Sequence, residues 1–395
     1  MSGTLNSIYN NISFALHLHT EELSRLQEQV STGSRINRPS DDSSCAYQVL
    51  GLNSQQRSLE NYIDNLAGAM NTLEYSSTIV ENMLSYYAQV QTRLTQVSSG
   101  IYDEESRKRT AEEINDILEH MVFLANSQRM DQYLFGGGDT TSAPYVVERT
   151  NGEITSVSYQ GSDENRNIEV GPGVQSSAYY VGDEIFCSDE RSDPIFSGGT
   201  GAQAGTGTSS VTGAVWLTVI HDGSNYKISI DDGASYVTVP AGGDSNQMVT
   251  DSRTGKILYV DTTGINSTGV ELVRVPGTYD IFNALITVRD VLRNEKGLSE
   301  AQLRELRGSL FDSVKETESL LVQNAVTTGT RIGFLDDLRQ NLEQIKYHGE
   351  DEATRLQEAD IAQVAIELSR REVLYEMSLS VAAKIMSLSL LDYLR

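Results

Sequence analysis

Proline is scarce in this chain, with six residues in 395, and five of them fall between 144 and 276. A helix interior loses about 3 kcal/mol to a proline, so the chain outside that window is free to be helical, with Pro39 the single interruption. Glycine divides the same way, 19 of 32 lying between 140 and 278. Cysteine is nearly absent. Cys45 and Cys187 lie in segments that look unrelated, which excludes a disulfide framework and predicts two free thiols. Positive charge is also short, 30 Lys and Arg against 55 Asp and Glu. With no basic patch to displace counterions from phosphates, nucleic acid is excluded as a partner.

Long apolar runs are missing too. The longest weakly charged stretch, Met377–Leu391, is shorter than the ~20 residues of a membrane span and carries Lys384 at its middle, so no membrane segment is expected. The first twenty residues have no positive region and no continuous apolar core, so they are not read as a signal peptide. Five histidines are scattered, and His17 and His19 point in different directions on a helix. There is no Glu-x-x-His, His-Glu-x-x-His or Cys-x-x-Cys. No catalytic residue, metal ligand or cofactor site is assigned.

What remains is periodicity. Leu5, Tyr9, Ile12, Leu16, His19, Leu23, Leu26 and Val30 recur by alternating steps of four and three, a coiled-coil seam. A second seam runs from Ile63 through Leu66, Met70, Leu73, Ser77, Val80, Leu84, Tyr87, Val90, Leu94 and Val97 to Ile101, with one shortened step. Residues 104–130 and 299–347 continue amphipathically, with Ile114, Ile117, Met121 and Leu124 on one face. In the middle, residues 216–240 alternate as strands around Asp222-Gly223 and Asp232-Gly233 turns. The Gly, Ser and Thr run at 197–213 reads as a flexible surface loop, and Asp231-Asp232 as turn chemistry.

The resulting fold class is mainly α with a β insert. N- and C-terminal helices form a coiled-coil bundle with an antiparallel β domain between them. Three layers are expected: 1–50 with 350–395 as terminal helices, 51–140 with 279–349 as a helical bundle, and 141–278 as a β-rich outer domain. Its 17 acidic against 7 basic residues over 140–278 suit a solvated exterior.

The C-terminal helix is apolar on two sides. One stripe holds Ile361, Val364, Leu368, Tyr375, Leu379, Ala382 and Met386; the other holds Ile366, Val373, Met377, Val381, Ile385 and Leu388, with Leu391 beyond. One partner helix cannot cover both. A continuous helix over 356–394 spans about 58 Å against about 39 Å for 5–30, so it is expected to overhang. Burying the seam returns ~1.5–3 kcal/mol per side chain, which falls short of the ordering entropy of the two ends. The ends are therefore expected to order fully only against other subunits, giving a homo-oligomer, although pattern alone leaves a single-chain bundle with a central C-terminal helix open.

Between the first two helices, VSTGSRINRPSDD (30–42) reads as an interhelix joint. Gly33 suits a left-handed helix terminus, Pro39 stops continuation, Ser40 or Asp41 caps the next helix, and Asp42 favours its positive end. Arg35, Asn37 and Arg38 are expected to fix the joint and touch acidic faces of neighbouring subunits.

EQVSTGSRINRPSDD (28–42), LANSQRMDQYLFGGGDTTSAPY (124–145), VSYQGSDENRNIEVGPGV (157–174) and VAAKIMSLSLLDYLR (381–395) resemble the flagellin superfamily, and within it the hook–filament junction branch, lacking the Asn-Gln-x-Pro-Gln element of filament flagellins. The resemblance implies a non-enzymatic structural subunit of the bacterial flagellum, extracellular and exported without a cleaved signal peptide. It implies a hook-associated protein and filament flagellin as neighbours, and an export chaperone on the C-terminal helix. The alternatives are a filament flagellin, or a glycan-binding or enzymatic β insert on a flagellin-like scaffold.

Overall fold

The computed structural model describes the backbone over residues 2–98 and 103–393, and side chains at residue 7 and over 10–97 and 103–385. The chain divides into two compact units, residues 1–64 with 338–395, and residues 65–337. Helix α1 (Ser2–Thr32) is followed by α2 (Ser43–Ser98) and α3 (Glu104–Ala125). Both seams read from the sequence lie in α1 and α2; Ile101 of the second is outside the described residues.

The unit of residues 65–337 buries the second seam within the chain. Leu66, Leu73, Tyr87 and Val90 of α2 are almost fully buried, as are Ile114, Leu118 and Met121 of α3. Asp103 caps α3, its carboxylate accepting from the Ser106 amide at 2.9 Å. Beyond α3 come short strands β1 (Gln128–Arg129) and β2 (Gln132–Tyr133), then the hairpins β3 (Tyr145–Thr150) with β4 (Glu153–Tyr159) and β5 (Asn167–Gly171) with β6 (Val174–Ser177), then a one-turn helix α4 (Gly182–Phe186).

The remaining strands are β7 (Ile195–Ser197), β8 (Gln203–Ala204), β9 (Gly213–His221), β10 (Tyr226–Ser229), β11 (Val237–Thr238), β12 (Gln247–Thr250), β13 (Ile257–Asp261) and β14 (Gly269–Val275). They make a five-stranded sheet in the order β11-β10-β9-β14-β7 and a three-stranded sheet β12-β13-β8. Their shared core includes Leu217, Ile228, Leu258, Val260 and Val273. The Asp222-Gly223 turn joins β9 to β10, and Asp232 and Gly233 both have positive φ, +58° and +86°.

The Gly, Ser and Thr run is not a free loop. It supplies the last residue of β7 and all of β8, with Ser197 paired to Leu272 and Ala204 to Val260. A Cβ on Gly207 would meet the Tyr259 ring at 2.4 Å, so glycine is there because an aromatic lies against the backbone.

Helix α5 (Ile281–Arg293) follows, capped by Asp280 and ended by Asn294 in the left-handed region at φ +55°. The insert closes at a neck: Asn126 holds both backbone groups of Tyr145, at 2.8 and 2.9 Å, and the Tyr145 ring sits 4.9 Å from that of Phe282. Helix α6 (Glu300–Gln357) then returns, and α7 (Ile361–Tyr393) ends the description.

One expectation fails here. The C-terminal helix does not run unbroken from 356 to 394; residues 358–360 are outside helix, so α7 has 33 residues against 31 in α1 and the long overhang is absent. The break is made by pairing: Ser34 and Glu358 form an antiparallel bridge, and the α7 helix restarts at Asp360, whose carboxylate accepts from the Gln363 amide at 3.1 Å.

Candidate subunit-packing surface and interhelix joint

In the unit of residues 1–64 and 338–395, α1 and α7 pack side by side. Their connection near the joint makes them antiparallel: the Arg35 amide donates to the Gln357 carbonyl at 2.6 Å and the Ala359 amide to that of Gly33 at 2.9 Å. Leu26 packs there with Ala359, Val364 and Leu368. On α7 the covered row is Val364, Leu368, Arg371, Tyr375, Ser378, Ala382 and Ile385, spaced by fours and threes, and each of these is buried or half-buried.

The sequence stripes therefore shift slightly. Ile385 belongs to the covered row rather than the outer one, and Leu379 lies on the exposed side at 44%. On α1, Ile12, Leu16 and Leu23 are half-buried, whereas Val30 is exposed and its place in the contact is taken by Gln29, whose amide donates to the Arg35 carbonyl at 2.8 Å. The helix ends at that point, and its last turn serves the joint instead of the seam. The side chains of Leu5, Tyr9, Leu388 and Leu391 lie outside the described residues.

The outer row of α7 has no cover among the described residues. Ile366 is 70% exposed, Met377 61%, Val373 56% and Val381 52%. Phe14 and Leu18 of α1 are also exposed. A contiguous row of this kind is what a partner surface looks like, since singly scattered exposed apolar residues carry no such pattern.

The joint is built from short local bonds. Gly33 takes φ +71° and its amide closes the helix onto the Gln29 carbonyl at 2.9 Å. Asp41 does not cap α2; its carboxylate accepts from the amides of Asn37 and Arg38 at 3.0 and 2.8 Å. Ser40 is exposed outside the helix and makes no cap either. The cap is Asp42, which accepts from the Cys45 amide at 3.0 Å. That bond, with a lesser contribution from Arg35, holds the Asp42 carboxyl below its ordinary value.

Arg35 reaches Asp42 at 3.3 Å and the Leu356 carbonyl at 3.3 Å, tying the start of α2 to the end of α6. Asn37 donates to the Ser34 carbonyl at 3.1 Å, and Arg38 pairs with Glu28 at 3.3 Å. Pro39 is exposed in the turn. Cys45 and Cys187 are free. Among the described residues no group of three or more His, Cys, Asp or Glu could hold a metal, and no helix is long and apolar enough to cross a membrane.

Terminal helices paired through a short joint, a two-stripe C-terminal helix and a β insert held in a helical body define a flagellin-type architecture. The family model for the bacterial flagellin N-terminal helical region matches residues 4–139. Flagellar hook-associated protein 3 of Escherichia coli (strain K12) is 26% identical over 164 residues, 41% of this chain and 49% of that protein. Its counterpart in Salmonella typhimurium is 25% identical over 168 residues, 42% and 51% respectively, so the chain spans about half the length of the curated relatives it matches. The crystal structure of flagellar hook associated protein-3 from Legionella pneumophila shares the fold with a TM-score of 0.54, 15% identity and coverage of 77% of this chain and 98% of that one. What the comparisons share is a flagellin-type N-terminal helical region over residues 4–139 and a flagellin-like fold.

Proposed function

We propose that the chain is a structural, non-enzymatic subunit of the bacterial flagellum, placed outside the cell at the junction between hook and filament. The observation that carries this reading is the outer apolar row of α7, Ile366, Val373, Met377 and Val381, which the chain itself leaves uncovered while burying the opposite row. Exposed apolar area returns about 25 cal/mol per Å² when a partner covers it, and the chain's own α1 is already engaged on the other side. A second copy is the natural cover, which gives a ring or short helical layer.

In that layer, residues 1–50 with 350–395 form the inner coiled coil, 51–140 with 279–349 the bundle around it, and 141–278 the outer surface. A hook-associated protein and filament flagellin adjoin the layer. An export chaperone holds the C-terminal helix before assembly, because an uncovered apolar row otherwise promotes premature association.

Deletion of residues 381–395 tests the reading. The truncated chain is expected in the culture supernatant, with cells that fail to retain filaments; filaments retained as in the parent strain would overturn it. Quantitative mass spectrometry of sheared flagella separates a junction subunit, present in a small fixed number of copies, from a filament flagellin, which would dominate the sample.

A further inference from the structure

The outer row of α7 carries a cation among its apolar residues. Arg370 lies between Ile366 and Val373 in that exposed row, and among the described residues no ion pair to it is formed. Covering the row therefore buries a guanidinium, and an unpaired buried charge is strongly unfavourable. Whatever packs there must bring an acid.

The same unit carries an acid-rich hollow at the joint. A polar cavity of about 400 Å³ is lined by Asp41, Asp42, Glu358, Asp360 and Glu367, with Arg25 and Arg35 as its only cations. Both arginines are already used, Arg25 by Glu22 at 2.7 Å and Arg35 by Asp42 at 3.3 Å. Asp41 and Asp360 accept backbone amides at 2.8 and 3.1 Å. Glu358 is exposed at the rim and has no cationic partner among the described residues. The chain's own Arg370 cannot serve it: nine residues at 1.5 Å rise place it roughly 14 Å beyond the start of α7 at Ile361.

We infer that Arg370 on the outer row of α7 docks against Glu358 at the joint cavity of a second copy, so that each subunit offers one cation and one acid and the contact repeats head to tail. A heterologous contact of this kind propagates around a ring or along a layer instead of closing a pair. The apolar residues beside Arg370 supply burial, and the charge pair fixes register between copies, since electrostatic complementarity selects orientation more than it adds affinity. This inference rests on the proposed junction role only for where the contact forms, and the contact itself is read separately.

Arg370→Glu, Glu358→Arg and the double variant are expressed in cells lacking the parent gene. The amount of each on isolated hook–filament structures is compared with the amount secreted. Each single variant is expected to be secreted normally and to fall about tenfold or more on the structures, while the double variant recovers to near the parent level. Single variants that assemble normally, or a double variant no better than either single, would overturn the contact.

A second reading is independent of location. Arg370→Cys and Glu358→Cys are made separately in a Cys45→Ser, Cys187→Ser background, mixed as purified full-length chains, and treated with a short bismaleimide. A dimer cross-linked between the two variants, exceeding that from either alone, is the expected result. Its absence overturns the inference even where the chain is found at the junction. Its presence with no chain at the junction removes the proposed location and keeps the contact.

Discussion

The amide of Ala359 donates to the carbonyl of Gly33 at 2.9 Å, joining the last turn of the first helix to the start of the last one. Gly33 can serve there because it holds φ +71° with no atom within 4 Å of where a Cβ would stand. The cost of a side chain at this position is thus one of backbone conformation and not of space, about 1–2 kcal/mol for an L residue in the left-handed region. Gly33→Ala is expected to lower the thermal midpoint of the purified chain followed by circular dichroism, and Gly33→Asn to lower it less. Equal midpoints for Gly33→Ala and the parent would show that the φ angle is not required.

Arg38 and Glu28 are both exposed and 3.3 Å apart, a pair worth less than about 1 kcal/mol in water. Arg38→Glu is therefore expected to leave the melting curve of the monomer within a degree or two while weakening assembly on isolated flagella. A clear loss of monomer stability would place Arg38 wholly within the chain's own joint.

The outer row of α7 predicts a separation of a different kind. Met377→Asp puts a charge where the residue is 61% exposed, so folding of the monomer should hardly change. Burying that carboxylate against a second copy costs several kcal/mol, and assembly should fail. Sedimentation of the purified chain and counts of retained filaments check both halves, and a variant that still assembles would remove this row from the subunit contact.

In the β insert, Asp231 accepts from the hydroxyls of Ser235 and Ser252 at 2.6 Å each and of Ser229 at 2.7 Å. Burial pushes its carboxyl up, and those bonds outweigh it and hold the group well below the ordinary carboxylate range. A depressed folded value means stability that is present above the unfolded carboxylate range, near pH 4, and is lost as pH falls further towards the folded value. Asp231→Ala should cost about 1–3 kcal/mol at neutral pH by leaving hydroxyls unpaired. It should also flatten the fall in stability below pH 4, measured by denaturant titration across that range.

Much of this architecture was legible because it rests on periodicity. The seam through Leu66, Leu73, Tyr87 and Val90 is buried as its spacing predicts, and the two Asp-Gly turns sit where strands reverse. What the spacing could not show was pairing between distant segments. The break at 358–360 exists because Glu358 bridges Ser34 and Ala359 bonds Gly33, and neither partner lies within reach of a local pattern. The Gly-rich run ends β7 and forms β8 for the same reason, its pairing supplied by Leu272 and Val260, and its Gly207 is required by the Tyr259 ring. Helix α5 did carry local signals, Asp280 at one end and Asn294 at the other, and these could have marked it. At the joint, the choice between Asp41 and Asp42 turned on which carboxylate faced the Cys45 amide, a matter of geometry and not of residue type.

The neck at Tyr145 and Phe282 has a consequence for how such a chain can diversify. With Asn126 clamping Tyr145 and Cys187 bridged to Asp280, the departure and return of the insert are fixed to each other without any strand of the five-stranded sheet. The segment past that clasp can lengthen, shorten or change its surface chemistry while α3 and α5 keep their places. The surface of the insert can thus be rewritten while the helical body that carries it is left untouched.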